Sequence, residues 1–271
     1  MKGIKHLTEG PILRQLFLLA MPIMATSFIQ MAYSLTDMAW VGRLGSEAIA
    51  AVGSVGLLTW MTTSISLLNK VGSEVSVGQA IGMKDESAAR SFATHNLTLS
   101  LIISVVWASV LFIFASFIIS FYELNEHIAN DAVHYLRVVS TAFPFVFMSA
   151  AFTGIFNAGG RSKIPFTING IGLLINMILD PLFILVLDWK TDGAAWATWI
   201  AQACVFTLFI YQLKFKSILW DDFVFFGKLK RLYTMRIIKI GLPVATLNAL
   251  FAFVNMFLGR TASTVGGHIG L

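Results

Sequence analysis

The 271-residue chain is 57% apolar and only 12% charged, about half the charged share of a water-soluble globular protein, so water is not its main solvent. Its net charge of +5 comes without basic clusters interleaved with exposed aromatics outside the apolar segments, which argues against a nucleic-acid surface. The only cysteine, Cys204, sits in an apolar run, excluding an internal disulfide or a cysteine-based zinc centre.

The charges are segregated and leave apolar stretches of roughly 20 residues or more, enough at ~1.5 Å per residue to cross a ~30 Å hydrocarbon core as helix. The runs are continuous and do not alternate with polar residues, so the expected fold is an all-α integral membrane protein and not a β-barrel. In chain order the predicted spans lie near 12–41, 47–70, 91–121, 129–157, 163–187, 193–213 and 235–260, seven in all. The first follows Lys2 and Lys5 and is too long for a signal-peptide core, so it is expected to be retained. Most connections are short. The exception, Lys214 to Thr234, mixes Lys214, Lys216, Lys228, Lys230 and Arg231 with Trp220, Phe223, Phe225 and Phe226, as a segment on a membrane surface would, or as a plain linker can.

Basic residues orient the spans. With the N-terminus inside, Lys2, Lys5, Arg14, Lys70, Lys84, Arg90, Arg161, Lys163 and every basic residue from Lys214 to Lys239 fall on the inner side. Only Arg43, Arg137, Lys190 and Arg260 fall outside, so a cytoplasmic N-terminus is expected. A repeat is also visible. Displacing the chain by 221 residues lays Met21-Pro22-Ile23 on Leu242-Pro243-Val244 and Gly45 on Gly266. The seventh span thus repeats the first, and the predicted organisation is a six-helix lobe over 1–213, a cytoplasmic linker over 214–234 and the first helix of a second lobe over 235–271.

Most acids lie in loops or at span ends, but Asp37 and Asp180 fall inside apolar helices. A carboxylate there costs about 2.5–3.5 kcal/mol even on insertion scales, and such residues face a cavity or the bundle interior. Counting residues from the outer ends places both acids roughly 9–12 Å deep, with Thr198 in the same layer. Asn176 lies one turn from Asp180 on the same face. Thr26, Gln30, Tyr33, Ser34 and Asp37 form a polar stripe along the first span, with Gln30, Tyr33 and Ser34 as substrate-contacting or supporting groups. Pro22 and Pro181 are candidate hinges, since each frees a backbone carbonyl. Two poorly solvated carboxylates repel one another, and a proton or a sodium ion offsets that repulsion; for sodium, Asp37, Asn176, Asp180 and Thr198 supply the oxygen ligands that hard cations need. Taken singly, Asp180 could instead cap a helix beginning at Pro181 and Asp37 could reach the headgroups. Glu74 reads as an interfacial charge, as do His95, His127 and His134, which lack metal-ligand spacing. No nucleophile elbow, phosphate loop or zinc motif is present, so neither an enzyme nor a bound cofactor is expected. The 11 methionines and 23 phenylalanines could line an adaptable pocket, although most should face lipid or neighbouring helices.

The chain resembles the multidrug and toxin extrusion (MATE) family in Ala20-Met21-Pro22, Asp37 with Val41-Gly42-Arg43-Leu44-Gly45, Tyr135-Leu136-Arg137, Asn157-Ala158-Gly159-Gly160-Arg161 and Asn176-Met177-Ile178-Leu179-Asp180-Pro181. The resemblance implies twelve helices in two lobes, and export of organic cations or amphiphilic compounds across the cell membrane by antiport with protons or sodium. It also implies a coupling-ion site at Asp37, Asn176, Asp180 and Thr198, with Gln30 beside them. Five of the implied helices lie beyond Leu271, so an incomplete sequence is expected. In the repeat Leu258 stands where the first lobe has Asp37, which assigns the ion site to the first lobe. A lipid-linked oligosaccharide flippase of the same superfamily would share the plan but favours a cationic cavity, and this stripe is acidic. A seven-helix receptor would carry no such duplication, and a retinal protein would need a lysine midway along the seventh span, whereas Lys239 lies near its inner end.

Overall fold

The computed structural model describes residues 12–216, 220 and 223–266, with Met256 and residues 259–266 described by backbone alone. Lys2 and Lys5 therefore lie outside the described residues. Among the described residues there are eight α-helices: α1 (Ile12–Val41), α2 (Ser46–Gly82), α3 (Glu86–Ile113), α4 (Ala115–Ser120), α5 (Glu126–Ala158), α6 (Lys163–Pro181), α7 (Lys190–Ile210) and α8 (Arg231–Gly266). All but the short α4 are long and apolar enough to cross a membrane, so the described residues hold the seven spans read from the sequence.

Helix ends differ from those expected. The second span does not stop at residue 70 but continues as α2 to Gly82, because Lys70 and Glu74 lie on an uninterrupted helix that outruns the hydrocarbon. The third span was expected to reach residue 121 unbroken, but it turns at Phe114 and resumes as α4. Its start is fixed by Asp85, whose side chain accepts a hydrogen bond from the Ala88 N–H at 2.9 Å. The α1–α2 connection turns at Gly45, whose φ of +109° no side chain adopts readily.

Between helices in lipid there is little hydrophobic drive, so close packing and small residues decide how they associate. A Cβ at Gly154 on α5 would strike the Lys70 carbonyl of α2, and one at Gly241 on α8 the Leu68 carbonyl of α2. Gly72 on α2 admits Ile237 of α8, and Gly172 on α6 admits Val205 of α7. Two buried clusters result. One, towards the α2–α3 turn, gathers Phe92, Phe152, Phe156, Phe209 and Ile237; the other, towards the opposite end, gathers Val52, Leu111, Leu136, Phe143 and Ile184. Met and Phe side chains such as Met24, Phe28, Met31 and Phe117 are exposed on helix surfaces.

The segment after α7 is not merely laid on a surface. Trp220 is buried, and Phe223 and Phe225 pack on the first cluster, with Phe225 edge-on to Phe152. Thr94 donates to the Val224 carbonyl at 2.6 Å, and the Gly227 N–H donates to Thr98 at 3.1 Å. From 223 to 226 half-buried and exposed side chains alternate, so Phe223 and Phe225 are spent on the bundle itself, while Phe226, Lys228 and Lys230 stay exposed.

Candidate functional site

Asp180 and Asn176 are fully buried on α6, and the Asn176 amide donates to Asp180 Oδ1 at 2.9 Å. The one-turn spacing made this pair legible in the sequence. Pro181 follows at once and supplies no N–H, so the Met177 carbonyl loses its helical donor. The backbone then widens into a π turn over Leu182–Val186, a distortion that recurs at functional sites. Gly193 at the start of α7 lets that helix press on Phe183 of this turn, which brings α7 against α6.

α1 packs chiefly on α6 and turns Tyr33 and Asp37 towards it. Asp37 lies within electrostatic reach of Asp180, and Tyr33 within reach of both acids. The Tyr33 hydroxyl also lies against Thr198 and Gln202 of α7, without a hydrogen bond of good geometry to either. Five buried oxygens in this group have no partner: Tyr33 Oη, Asp37 Oδ1, Asn176 Oδ1, Asp180 Oδ2 and Thr198 Oγ1. Buried polar atoms are rarely left unpaired, and three of these five can only accept. An all-oxygen set of this kind suits a proton or a hard cation. Among the described residues no group of three or more His, Cys, Asp or Glu could hold a metal ion.

Asp37, Asn176, Asp180 and Thr198 are thus brought together, along with Tyr33. The remainder of the α1 stripe is not. Gln30 and Ser34 are exposed on the bundle surface, one helical row away from Tyr33 and Asp37, and Ser34 bonds only the Gln30 carbonyl, at 3.4 Å. Thr26 is buried and donates to the Pro22 carbonyl at 2.8 Å, and α1 runs through Pro22 as one continuous helix. Two residues escaped the sequence reading. Tyr135 of α5, fully buried towards both acids, was quoted only as part of a motif. Gln202 stands one turn from Thr198, a spacing that would have found it. Glu74 is not a free interfacial charge, since the Asn157 amide approaches it at 3.4 Å, and His95 is buried with Nδ1 2.6 Å from the Ser91 carbonyl. His134 pairs with Asp192 at 2.8 Å, tying α5 to α7.

Seven long apolar helices, four of which bring side chains to two acids with orphaned oxygens, define a multi-pass helical membrane protein with an intramembrane polar site. The pattern of the family described as MatE matches residues 22–182, more than half of the chain, and the chain belongs to that family. It is 28% identical over 96% of its length to a probable multidrug resistance protein, YoeA, of Bacillus subtilis, of which it covers 59%. A MATE structure in complex with MaD3S superposes with a TM-score of 0.90 at 26% identity, covering 100% of this chain and 61% of that one. A MATE structure in a bent conformation superposes at 0.87, again at 26% identity, covering 96% of this chain and 58% of that one. The chain therefore spans about three-fifths of the length of these relatives.

Proposed function

We propose that this chain supplies the coupling lobe of a secondary active efflux transporter of the cell membrane, exporting organic cations or amphiphilic compounds in exchange for protons or sodium. The observation that carries this reading is the cluster of unpartnered oxygens around Asp37 and Asp180. Like charges at close quarters are tolerated in a poorly solvated site only when a proton or a cation joins them. α1 is the moving element. It carries Asp37, its Pro22 breaks the hydrogen-bond ladder at Leu18, and a relative has been seen in a bent conformation. Ion entry repositions α1 and expels substrate, which requires ion and substrate to favour different states of that helix. In this scheme the N-terminus is cytoplasmic, 214–234 links two lobes and α8 opens the second.

The test uses the complete gene product in cells lacking other exporters, loaded with ethidium as a lipophilic cation. Efflux should start when an inward sodium gradient or an inward proton gradient is imposed, and stop when that gradient is collapsed. Dye movement indifferent to both gradients would overturn the reading.

A further inference from the structure

Where α8 leaves the inner end of the bundle, three basic side chains converge without a carboxylate. An open groove of about 710 Å³ along α8, bordered on α2 by Gln79, is lined by Arg231, Arg236 and Lys239 and by apolar side chains that include Leu232 and Met235. The helix period explains the convergence. Positions 231, 235 and 239 form one row and positions 232 and 236 the row beside it, so both rows face the same groove. Arg236 donates to Gln79 Oε1 at 3.0 Å and lies 5.8 Å from the Phe92 ring, which fixes its guanidinium at the wall of the groove. Among the described residues no acid pairs with Arg231, Arg236 or Lys239.

The depth of the groove selects its ligand. α8 packs on α2 with Gly241 against Leu68 and Ile237 against Gly72, so Lys239 stands near the level of Lys70. These lysines mark where the apolar stretches of both helices end, and Arg236 and Arg231 lie progressively further out. That is headgroup level. Leu242, deeper on α8, is half exposed among the described residues, and Leu232 and Met235 border the basic groups. Nearby, Phe226 and Leu229 are exposed beside Lys228 and Lys230, so the rim is both apolar and basic.

The geometry points to a binding site for the phosphate headgroup of an anionic phospholipid of the inner leaflet. The phosphodiester would sit among Arg231, Arg236 and Lys239 with its chains descending along α8, as basic pockets between membrane helices at the cytoplasmic face hold such lipids. A single lipid would bridge α2 and α8. The inference rests on the inward orientation of this end given under Proposed function, but the binding itself requires neither transport nor orientation.

The test is native mass spectrometry on the complete gene product in detergent, titrated with dioleoyl-phosphatidylglycerol, dioleoyl-phosphatidylcholine or glycerol 1-phosphate. The wild type should retain phosphatidylglycerol in preference to phosphatidylcholine. Arg231→Gln, Arg236→Gln and Lys239→Gln should each weaken that retention about fivefold, and the triple variant about a hundredfold. Arg236→Lys should keep most of it, and Lys84→Gln, an exposed inner-loop control, all of it. Thermal unfolding of each variant shows that the fold is intact. Equal retention of the two lipids, or a triple variant that holds phosphatidylglycerol as the wild type does, would overturn the proposal. Retention of glycerol 1-phosphate without any retention of phosphatidylglycerol would show that the site takes a soluble phosphate ester and no lipid, and would overturn the proposal. Because these readings are made in micelles, their failure is separate from any failure of gradient-driven efflux.

Discussion

Among the described residues Asp180 is the one fully buried carboxylate, and its hydrogen bond there comes from Asn176. Asn176 Oδ1 is one of the unpartnered oxygens the site offers to a cation, so removing it in Asn176→Ala should raise the sodium concentration for half-maximal efflux about tenfold. Titrating efflux against sodium and against pH measures this directly; an unchanged midpoint would make Asn176 a packing residue. Asp188→Asn serves as the control. That residue is exposed with φ +53°, a conformation Asn adopts readily, and the variant should transport within twofold of wild type. At this scale the sequence disclosed what lies along one helix. Asp180 with Asn176 follows from the turn, and Asp37 meets them because depth could be counted from loop charges. It did not disclose rotation about the helix axis. Gln30 and Ser34 share the polar stripe with Tyr33 yet turn outward, and Tyr135 reaches the site only because α5 passes behind it.

Among the helices, α2 carries most of the close approaches. Gly241 lies against the Leu68 carbonyl, and that contact is backbone, so it cannot yield as a side chain would. Gly241→Ala should lower thermal stability in detergent by about 1–3 kcal/mol, the range for overpacking a tight interface. Gly53, with open space where a Cβ would stand, makes Gly53→Ala the control, expected to be neutral or slightly stabilising. Equal melting of the two variants would contradict the tight crossing. Spans were legible from apolar length and ends were not. Lys70 looked like a boundary because charge usually closes a span, but helix propagation does not stop at a charge. The post-α7 segment misled in another way. Its aromatics fit a membrane-surface segment or a plain linker, and only the nearness of Thr94, Thr98 and Phe152 shows that the bundle absorbs Phe225 and its neighbours Trp220 and Phe223.

Over the whole molecule, charge and topology make one testable scheme. If the N-terminus is inside, Lys228→Cys in intact cells should resist membrane-impermeant thiol reagents and react only after permeabilisation; its prompt labelling from outside would invert every span. The proposed 221-residue repeat pairs Pro22 with Pro243, each inside a long helix, α1 and α8. In the proposed scheme Asp37 has an apolar counterpart at Leu258, so ion coupling would fall to the acids of α1 and α6. The most direct measurement is therefore gradient-driven efflux by the complete protein carrying Asp37→Asn or Asp180→Asn, at membrane levels matched to wild type and with substrate binding assayed in parallel. The account predicts that each variant binds substrate and fails to export it under either a sodium or a proton gradient. Export at the wild-type rate by both variants under either gradient would contradict it.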